Sequence, residues 1–221
     1  MLTFGPAFKR PEAALLALYR ELPVATVSDV LGPGHVLSAC IKPLRPGMRL
    51  LGPAYTLKLP ATDNLGMHAA VRDAQAGDVI LADQEGAAQG APVGEIMALA
   101  AQHKGLAGIV LNGVVRDIDK LRASDWPVFA TGAYAQQCRK DGPAWLRLPM
   151  SCAGVLVRPG DLLLGDDDGV VVIPIERAQG VALQVLQRLE QEAQRMAAIR
   201  AGVLSPAWLQ ETMERAGIIN C

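Results

Sequence analysis

Residues 106–113, LAGIVLNG, run apolar without a polar break until Asn112, and this stretch constrains the fold more than any other. A strand with one face in water alternates apolar and polar residues. One that does not alternate must be covered on both faces, the usual state of a parallel strand between helical crossovers. The flanking sequence agrees. DVILAD (78–83) predicts a second strand of this kind and PVFATG (127–132) a shorter third. Helical patterns separate them: TDNLGMHAAVRDAQAG, capped by Asp63 and ending at Gly77, and PVGEIMALAAQHKG, starting near Pro92-Val93 and ending at Gly105. Before these, GMRLLGPAYTLKLP predicts two strand runs broken by Gly52-Pro53.

Outside this alternation the patterns change. Pro11 to Leu22 predicts a helix, and ATVSDVLG a short helix capped near Thr26 and closed by Gly32. AGVLVRPGDLLLGDDDGVVVIPI predicts three short strands with turns at Pro159-Gly160 and Asp168-Gly169. From Glu176 to Arg200 the pattern is helical and increasingly polar, and a last helix follows Ser205-Pro206. With no linker and no low-complexity stretch, residues 1–221 read as one α/β domain with a mixed sheet in more than one layer. Its core spans about residues 20–175. The tail, 176–221, is too polar to be core throughout and suits a position across a neighbouring subunit.

Composition excludes several classes of function. Net charge is −1 and no basic block occurs, which argues against a nucleic-acid partner. No apolar run approaches the roughly 18 residues of a membrane span. The N-terminus lacks the basic start and apolar stretch of a secretion signal, so a cytoplasmic location is expected. Cys40, Cys138, Cys152 and Cys221 are scattered without a C-x-x-C, consistent with reduced thiols, and with His35, His68 and His103 they show no zinc-ligand spacing.

Two short stretches carry candidate chemistry. Gly94 and Glu95 open the 94–104 helix, where the first N–H groups lack intrahelical partners and the dipole is positive; the N–H groups from Gly94 to Met97 suit a small carboxylate. Alternatively, Gly94-Glu95 is a good helix start and nothing more. Arg116-Asp117 follow the 107–111 strand. A helix that feeds this strand through a turn at Gly105 runs antiparallel to it, so its N-terminus lies near the end where the strand finishes. Gly94-Glu95 and Arg116-Asp117 therefore share one sheet edge, the carboxyl edge where ligands of α/β sheets gather. A helix N-terminus, a guanidinium and two carboxylates suit an oxygen-rich acid together with a divalent metal. The alternative is that Arg116 pairs with Asp117 or Asp119 and caps the helix DIDKLRA. Among the other motifs, GDDDG reads as a hairpin turn rather than a metal site. His68, four residues after Asn64, reads as a structural histidine rather than a base. GPGHVLSAC lacks the context of a dinucleotide site.

GPAYTLKL, DNLGMHAAV, GDVILAD, APVGEIMALAAQHKGLAGIVLNGVVRDIDKL, PVFATG and GDLLLGDDDGVVVIP resemble, in order and spacing, the RraA-like family, over roughly residues 20–200. Within it they look most like the class II pyruvate aldolases of 4-hydroxy-4-methyl-2-oxoglutarate and 4-carboxy-4-hydroxy-2-oxoadipate. The signature is an acid, twenty residues, then Arg-Asp; here it is Glu95, residues 96–115 and Arg116-Asp117, with Glu where the aldolases usually carry Asp. The resemblance implies a layered β/β/α sandwich of the swivelling-domain type with a C-terminal helical tail, assembled as a homotrimer or homohexamer. It implies Mg²⁺ or Mn²⁺ as cofactor and a small 2-oxo acid as substrate, with oxaloacetate decarboxylation as a side activity. By the same resemblance, the N–H groups of Gly94, Glu95, Ile96 and Met97 and the Arg116 side chain bind the pyruvyl unit. Asp117 ligates the metal directly, and Glu95 and a neighbouring subunit's Glu192 reach it through water. The family also contains a non-catalytic inhibitor of an RNA-degrading endonuclease, so a regulatory protein on this scaffold, or another lyase of small oxo acids, is the competing expectation.

Overall fold

A computed structural model describes residues 1–217. The chain opens with a short strand, β1 (Leu2–Phe4), and two helices, α1 (Ala13–Tyr19) and α2 (Val24–Leu31). A two-residue strand, β2 (Lys42–Pro43), leads into β3 (Leu50–Lys58). The central alternation follows: α3 (Leu65–Asp73), β4 (Val79–Asp83), α4 (Glu95–His103), β5 (Gly108–Val115), α5 (Ile118–Ala123) and β6 (Val128–Ala133). Then come β7 (Ala144–Leu146), β8 (Met150–Cys152), β9 (Val155–Val157), β10 (Leu162–Asp166) and β11 (Gly169–Ile173). A 3₁₀ turn at Ile175–Arg177 enters α6 (Ala178–Arg200), and α7 (Ala207–Arg215) is last. Cys221 lies outside the described residues.

The non-alternating runs are the parallel centre of the sheet, as expected. β3, β4, β5 and β6 lie side by side and parallel, with β2 and β7 antiparallel at the flanks and β1 beside β7. Successive side chains point to opposite faces of a strand. Thus Ile80 and Ala82 pack with Ile109 and Leu111 against Met67 of α3 and Met97 of α4. Val79 and Leu81 face the other way, with Val110 and Phe129, onto Leu163, Val170 and Val172 of the β10–β11 hairpin. The outer face of that hairpin, Leu162, Leu164, Val171 and Ile173, is covered by Tyr19, Val27, Val181 and Val185 from α1, α2 and α6. The architecture is the expected β/β/α sandwich, with α1, α2 and α6 closing the outside.

Several local expectations are corrected. Gly52-Pro53 does not break β3. The strand is continuous but changes partners there: Leu50–Pro53 pair antiparallel with β10, and Ala54–Lys58 pair parallel with β4. A proline, which donates nothing to a ladder, sits at this handover. Asn112-Gly113 does not end β5 either. The strand runs on to Val115 through a register shift between Leu111 and Val114. The asparagine has partners there: its Nδ2 donates to buried Asp83 Oδ1 at 2.7 Å, and its carbonyl accepts from the N–H groups of Gln84 and Gly86. A Cβ on Gly113 would run into the Gln84 side chain, so glycine is required by space and not as a strand terminator. α2 begins at Val24 rather than near Thr26, because the Asp166 carboxylate accepts its first N–H at 3.0 Å. α4 begins at Glu95 rather than Pro92-Val93, because Val93 is drawn into a parallel bridge with Val115.

Candidate active site

Val115 ends β5 at the carboxyl edge of the sheet, and Arg116 follows with its own N–H donating to the Val93 carbonyl at 2.9 Å. This bond ties the segment entering α4 to the end of β5, so Gly94 and Arg116 meet as the connectivity requires. Asp117 is next, and it holds a left-handed backbone, φ 56°. That region is uncommon for residues with a side chain, although aspartate tolerates it better than most. The conformation has a visible consequence. Asp117 precedes α5 but makes no side-chain cap on it. Its Oδ2 instead accepts the N–H of Glu95 at 3.0 Å, at the positive end of α4. Arg116 Nε lies 3.8 Å from the same oxygen, with the Arg116 side chain 37% and that of Asp117 42% exposed. So loose and open an ion pair does not occupy either group fully.

Gly94 completes the arrangement. Its φ of −141° is extended backbone open to any residue, so the glycine is not there for its conformation. A Cβ at Gly94 would collide with Asp117 Oδ2 and lie 3.0 Å from Arg116 Cγ and 3.1 Å from Arg116 Nε. Glycine thus leaves the space in which the carboxylate and the guanidinium stand.

These residues wall a cavity of about 120 Å³. Gly94, Ile96 and Met97 line it with Arg116 and Asp117, and Asn64, His68, Cys138 and Lys140 are also in the lining. Two of the expected site residues lie outside this wall. The Glu95 N–H is already given to Asp117, and its exposed carboxylate is not part of the wall, so of the residues that open α4 the wall holds Gly94, Ile96 and Met97. Glu192, on α6, is also absent from the wall of its own chain's cavity; it pairs with Arg188 at 3.2 Å, which in turn reaches Asp29.

The cavity also recruits residues that spacing did not single out as functional. His68 lines it, and burial first, then the nearby Lys140 charge, hold its pKa below the usual imidazole range, so the ring is neutral at pH 7. Cys138 is different. Burial, then Asp63, push its thiol up to about 11 against the opposing influence of Arg116, which leaves it protonated and a poor nucleophile. Asn64 Oδ1 is buried without a hydrogen-bond partner among the described residues, although its Nδ2 donates weakly to Pro92 O at 3.4 Å.

The donor set fits a Mg²⁺-like ion. Such ions keep several waters and take one or two carboxylates. Asp117 Oδ1 accepts no hydrogen bond among the described residues, so it is open to a cation while Oδ2 is held by Glu95 N–H. Among the described residues no group of three His, Cys, Asp or Glu gathers, so the remaining ligands would be water or substrate, or would come from a second copy.

A family model described as RraA-like, Aldolase/RraA, matches residues 24–172. A Halalkalibacterium halodurans protein, provisionally named as a 4-hydroxy-4-methyl-2-oxoglutarate aldolase, is 34% identical over 194 residues, which is 88% of this chain and 92% of that one. The 4-hydroxy-4-methyl-2-oxoglutarate aldolase of Thermus thermophilus is 31% identical over 154 residues, covering 70% of this chain and 93% of its own. Among solved structures, Streptomyces coelicolor RraAS2, described as an unusual member of the RNase ES inhibitor RraA family, superposes with a TM-score of 0.77 at 27% identity. That match covers 86% of this chain and 99% of RraAS2.

Proposed function

The chain belongs to the RraA-like family, and on that footing we propose that it is a divalent-metal-dependent lyase cleaving 4-hydroxy-2-oxo acids to pyruvate and a second carbonyl compound. The observation that carries this proposal is the convergence of Arg116, Asp117 and the α4 N-terminus on one cavity, with Gly94 leaving room between them. A glutarate of the kind named for the relatives, 4-hydroxy-4-methyl-2-oxoglutarate, is the substrate it suits, with oxaloacetate as a poorer one.

The chemistry follows from the charges. In aldol cleavage the C3–C4 bond breaks, the C4 hydroxyl loses its proton as C4 becomes a carbonyl, and the bonding pair passes to C3 and the C2 oxygen as the pyruvate enolate. Protonation at C3 then gives pyruvate. A divalent ion, held through Asp117, supplies Lewis-acid polarisation of the C2 carbonyl when bound. The N–H groups of Gly94, Ile96 and Met97 orient the C1 carboxylate at the positive helix end. Arg116 lies beside them and its fixed charge faces the oxygen on which negative charge develops, a contact stronger in the transition state than before it. His68, neutral at pH 7, is the group in the wall suited to accept the hydroxyl proton.

The assembly proposed is a homotrimer or homohexamer. Ile96 and Leu99 on α4 are 81% and 62% exposed beside the site, and Leu183 and Leu186 on α6 also face outward. Val185 on the same helix is buried in its own chain's core. Light scattering at micromolar concentration should give three or six chains, and a monomer would contradict the assembly. The activity is tested by incubating the purified protein with 4-hydroxy-4-methyl-2-oxoglutarate and Mg²⁺ and measuring pyruvate. A folded protein releasing none would overturn the lyase proposal and favour the regulatory role.

A further inference from the structure

One part of the cavity wall is a strap. Residues 134–143, between β6 and β7, contain no helix or ladder strand of their own, yet they cross the carboxyl edge of the sheet tied at successive points. Tyr134 N–H donates to Val115 O at 2.8 Å, at the end of β5. The Gln136 carbonyl accepts from Ala91 at 3.0 Å, just before α4. Arg139 N–H donates to Thr62 O at 2.8 Å, and its carbonyl accepts from Asn64 at 2.9 Å, just before α3. The last tie is of another kind. The N–H groups of Asp141 and Gly142 both donate to Asp63 Oδ2 at 2.8 Å, while Asp63 Oδ1 accepts from Leu65 at 2.8 Å. Among the described residues, Asp63 is the one side chain outside the strap that bonds to it.

What lies under the strap is fixed independently. The buried Gln84 amide donates to Ala61 O at 3.0 Å and to Gly90 O at 3.3 Å, which joins the segments that enter α3 and α4. Cys138 sits between strap and floor, 4% exposed, and a Cβ on Gly90 would lie 2.8 Å from its Sγ. Asp63 is itself buried, which raises its pKa, but the backbone N–H groups it accepts outweigh burial and keep the carboxyl below its usual range, so it is ionised at neutral pH. Hydrogen bonds to a charged acceptor are the stronger class, and two of the three hold the strap. The ion pair between Arg139 and Asp141, at 3.4 Å with both side chains mostly exposed, adds little.

We infer that Asp63 is a positioning residue: its carboxylate latches the 134–143 strap onto the start of α3, and the wall that contains Cys138 and Lys140 stands only while that latch is closed. The latch builds the cavity whatever ligand occupies it, so it is separate from the lyase function proposed above. An asparagine at this position keeps one acceptor oxygen and turns an NH₂ group toward N–H donors, which opens the latch at almost constant volume. Gly142→Ala opens it from the other side. Its Cβ would lie 2.7 Å from Asp63 Cγ, and the backbone there is not left-handed, so the methyl group pries the contact apart without other strain.

The test reads strap opening through Cys138. Wild type, Asp63→Asn and Gly142→Ala are treated with iodoacetamide at one fixed pH, and each cysteine is followed by peptide mass spectrometry. Both variants should alkylate Cys138 about 10- to 100-fold faster than wild type, the effect of losing hydrogen bonds to a charged group on a local opening. Exposed Cys40 should react equally in all three, and fully buried Cys152 should stay protected. Gly142→Ala is the decisive variant, because Asp63 also raises the Cys138 pKa and removal of its charge would by itself quicken the thiol. A folded Gly142→Ala with the wild-type Cys138 rate would overturn the latch. Cys138 and Cys152 exposed together would reduce Asp63 to a residue of global stability. Pyruvate release gives the second readout: kcat/KM should fall about 10- to 100-fold in both variants, and unchanged turnover with an open strap would overturn the positioning role. A wild type that releases no pyruvate would remove the lyase function, while the alkylation rates would still decide the latch.

Discussion

Replacing Arg116 by alanine should lower pyruvate release by about 100- to 1000-fold while leaving the protein folded. The size follows from where the charge acts. Arg116 stands only 3.8 Å from Asp117 and is more than a third exposed, so as an ion pair it would contribute ~0–1 kcal/mol to stability and nothing to turnover. As a contact to an oxygen that gains negative charge during C–C cleavage, it lowers the barrier by the amount typical of a preorganised donor, about 3–4 kcal/mol. Arg116→Lys should recover activity only in part, because an ammonium does not reproduce the planar fork of the guanidinium. The measurement is pyruvate formation by both variants, with melting temperature recorded beside it. A folded Arg116→Ala protein with near-normal turnover would reduce Arg116 to a charge at a helix start.

Gly94→Ala should be nearly as damaging, about 100-fold in kcat/KM, from the addition of a single methyl group. The backbone at Gly94 is extended, so alanine adds no conformational strain there. Its Cβ would meet the Asp117 carboxylate and the Arg116 side chain, and one of them must move. Displacement by about an ångström at a catalytic constellation has an effect of this order. Stability should fall by only ~1 kcal/mol, the cost of a poorer residue at the helix start. Gly180→Ala is the control, since a Cβ there meets nothing within 4 Å and alanine is the better helix former. Equal kcat/KM for Gly94→Ala and wild type would show that nothing functional occupies the space the glycine leaves.

The parts of the fold legible in the sequence are those with strong local periodicity. β4, β5 and β6 announce themselves as non-alternating runs, and α4 ends where Gly105 takes φ 82°. The meeting of Gly94 with Arg116 was legible for a related reason: a helix feeding a parallel strand must start near the end where that strand finishes. The features missed depend on tertiary partners. Asn112-Gly113 has the chemistry of a turn, and only the buried Asp83 and Gln84 side chains make it a bulge inside β5. β1, β7 and β8 are three residues each, too short to carry a pattern. Asp117 reaches α4 rather than its own helix because of a left-handed backbone that no neighbouring residue signals. Lys140 reaches the cavity because Asp63, 77 positions earlier in the chain, clamps its loop. His68 was visible as a helix-face residue, but whether that face looked into a cavity depended on the same loop.

The most direct test of the account is the dependence of pyruvate release on a divalent ion. Protein stripped with EDTA and returned to chelated buffer should release no pyruvate from 4-hydroxy-4-methyl-2-oxoglutarate, and Mg²⁺ or Mn²⁺ should restore the rate. Asp117→Ala should stay inactive at ion concentrations that saturate the wild type, because it lacks the carboxylate whose Oδ1 is open to the cation. Full turnover by the stripped wild-type protein, or a folded Asp117→Ala restored at the same Mg²⁺ concentration as wild type, would contradict the account.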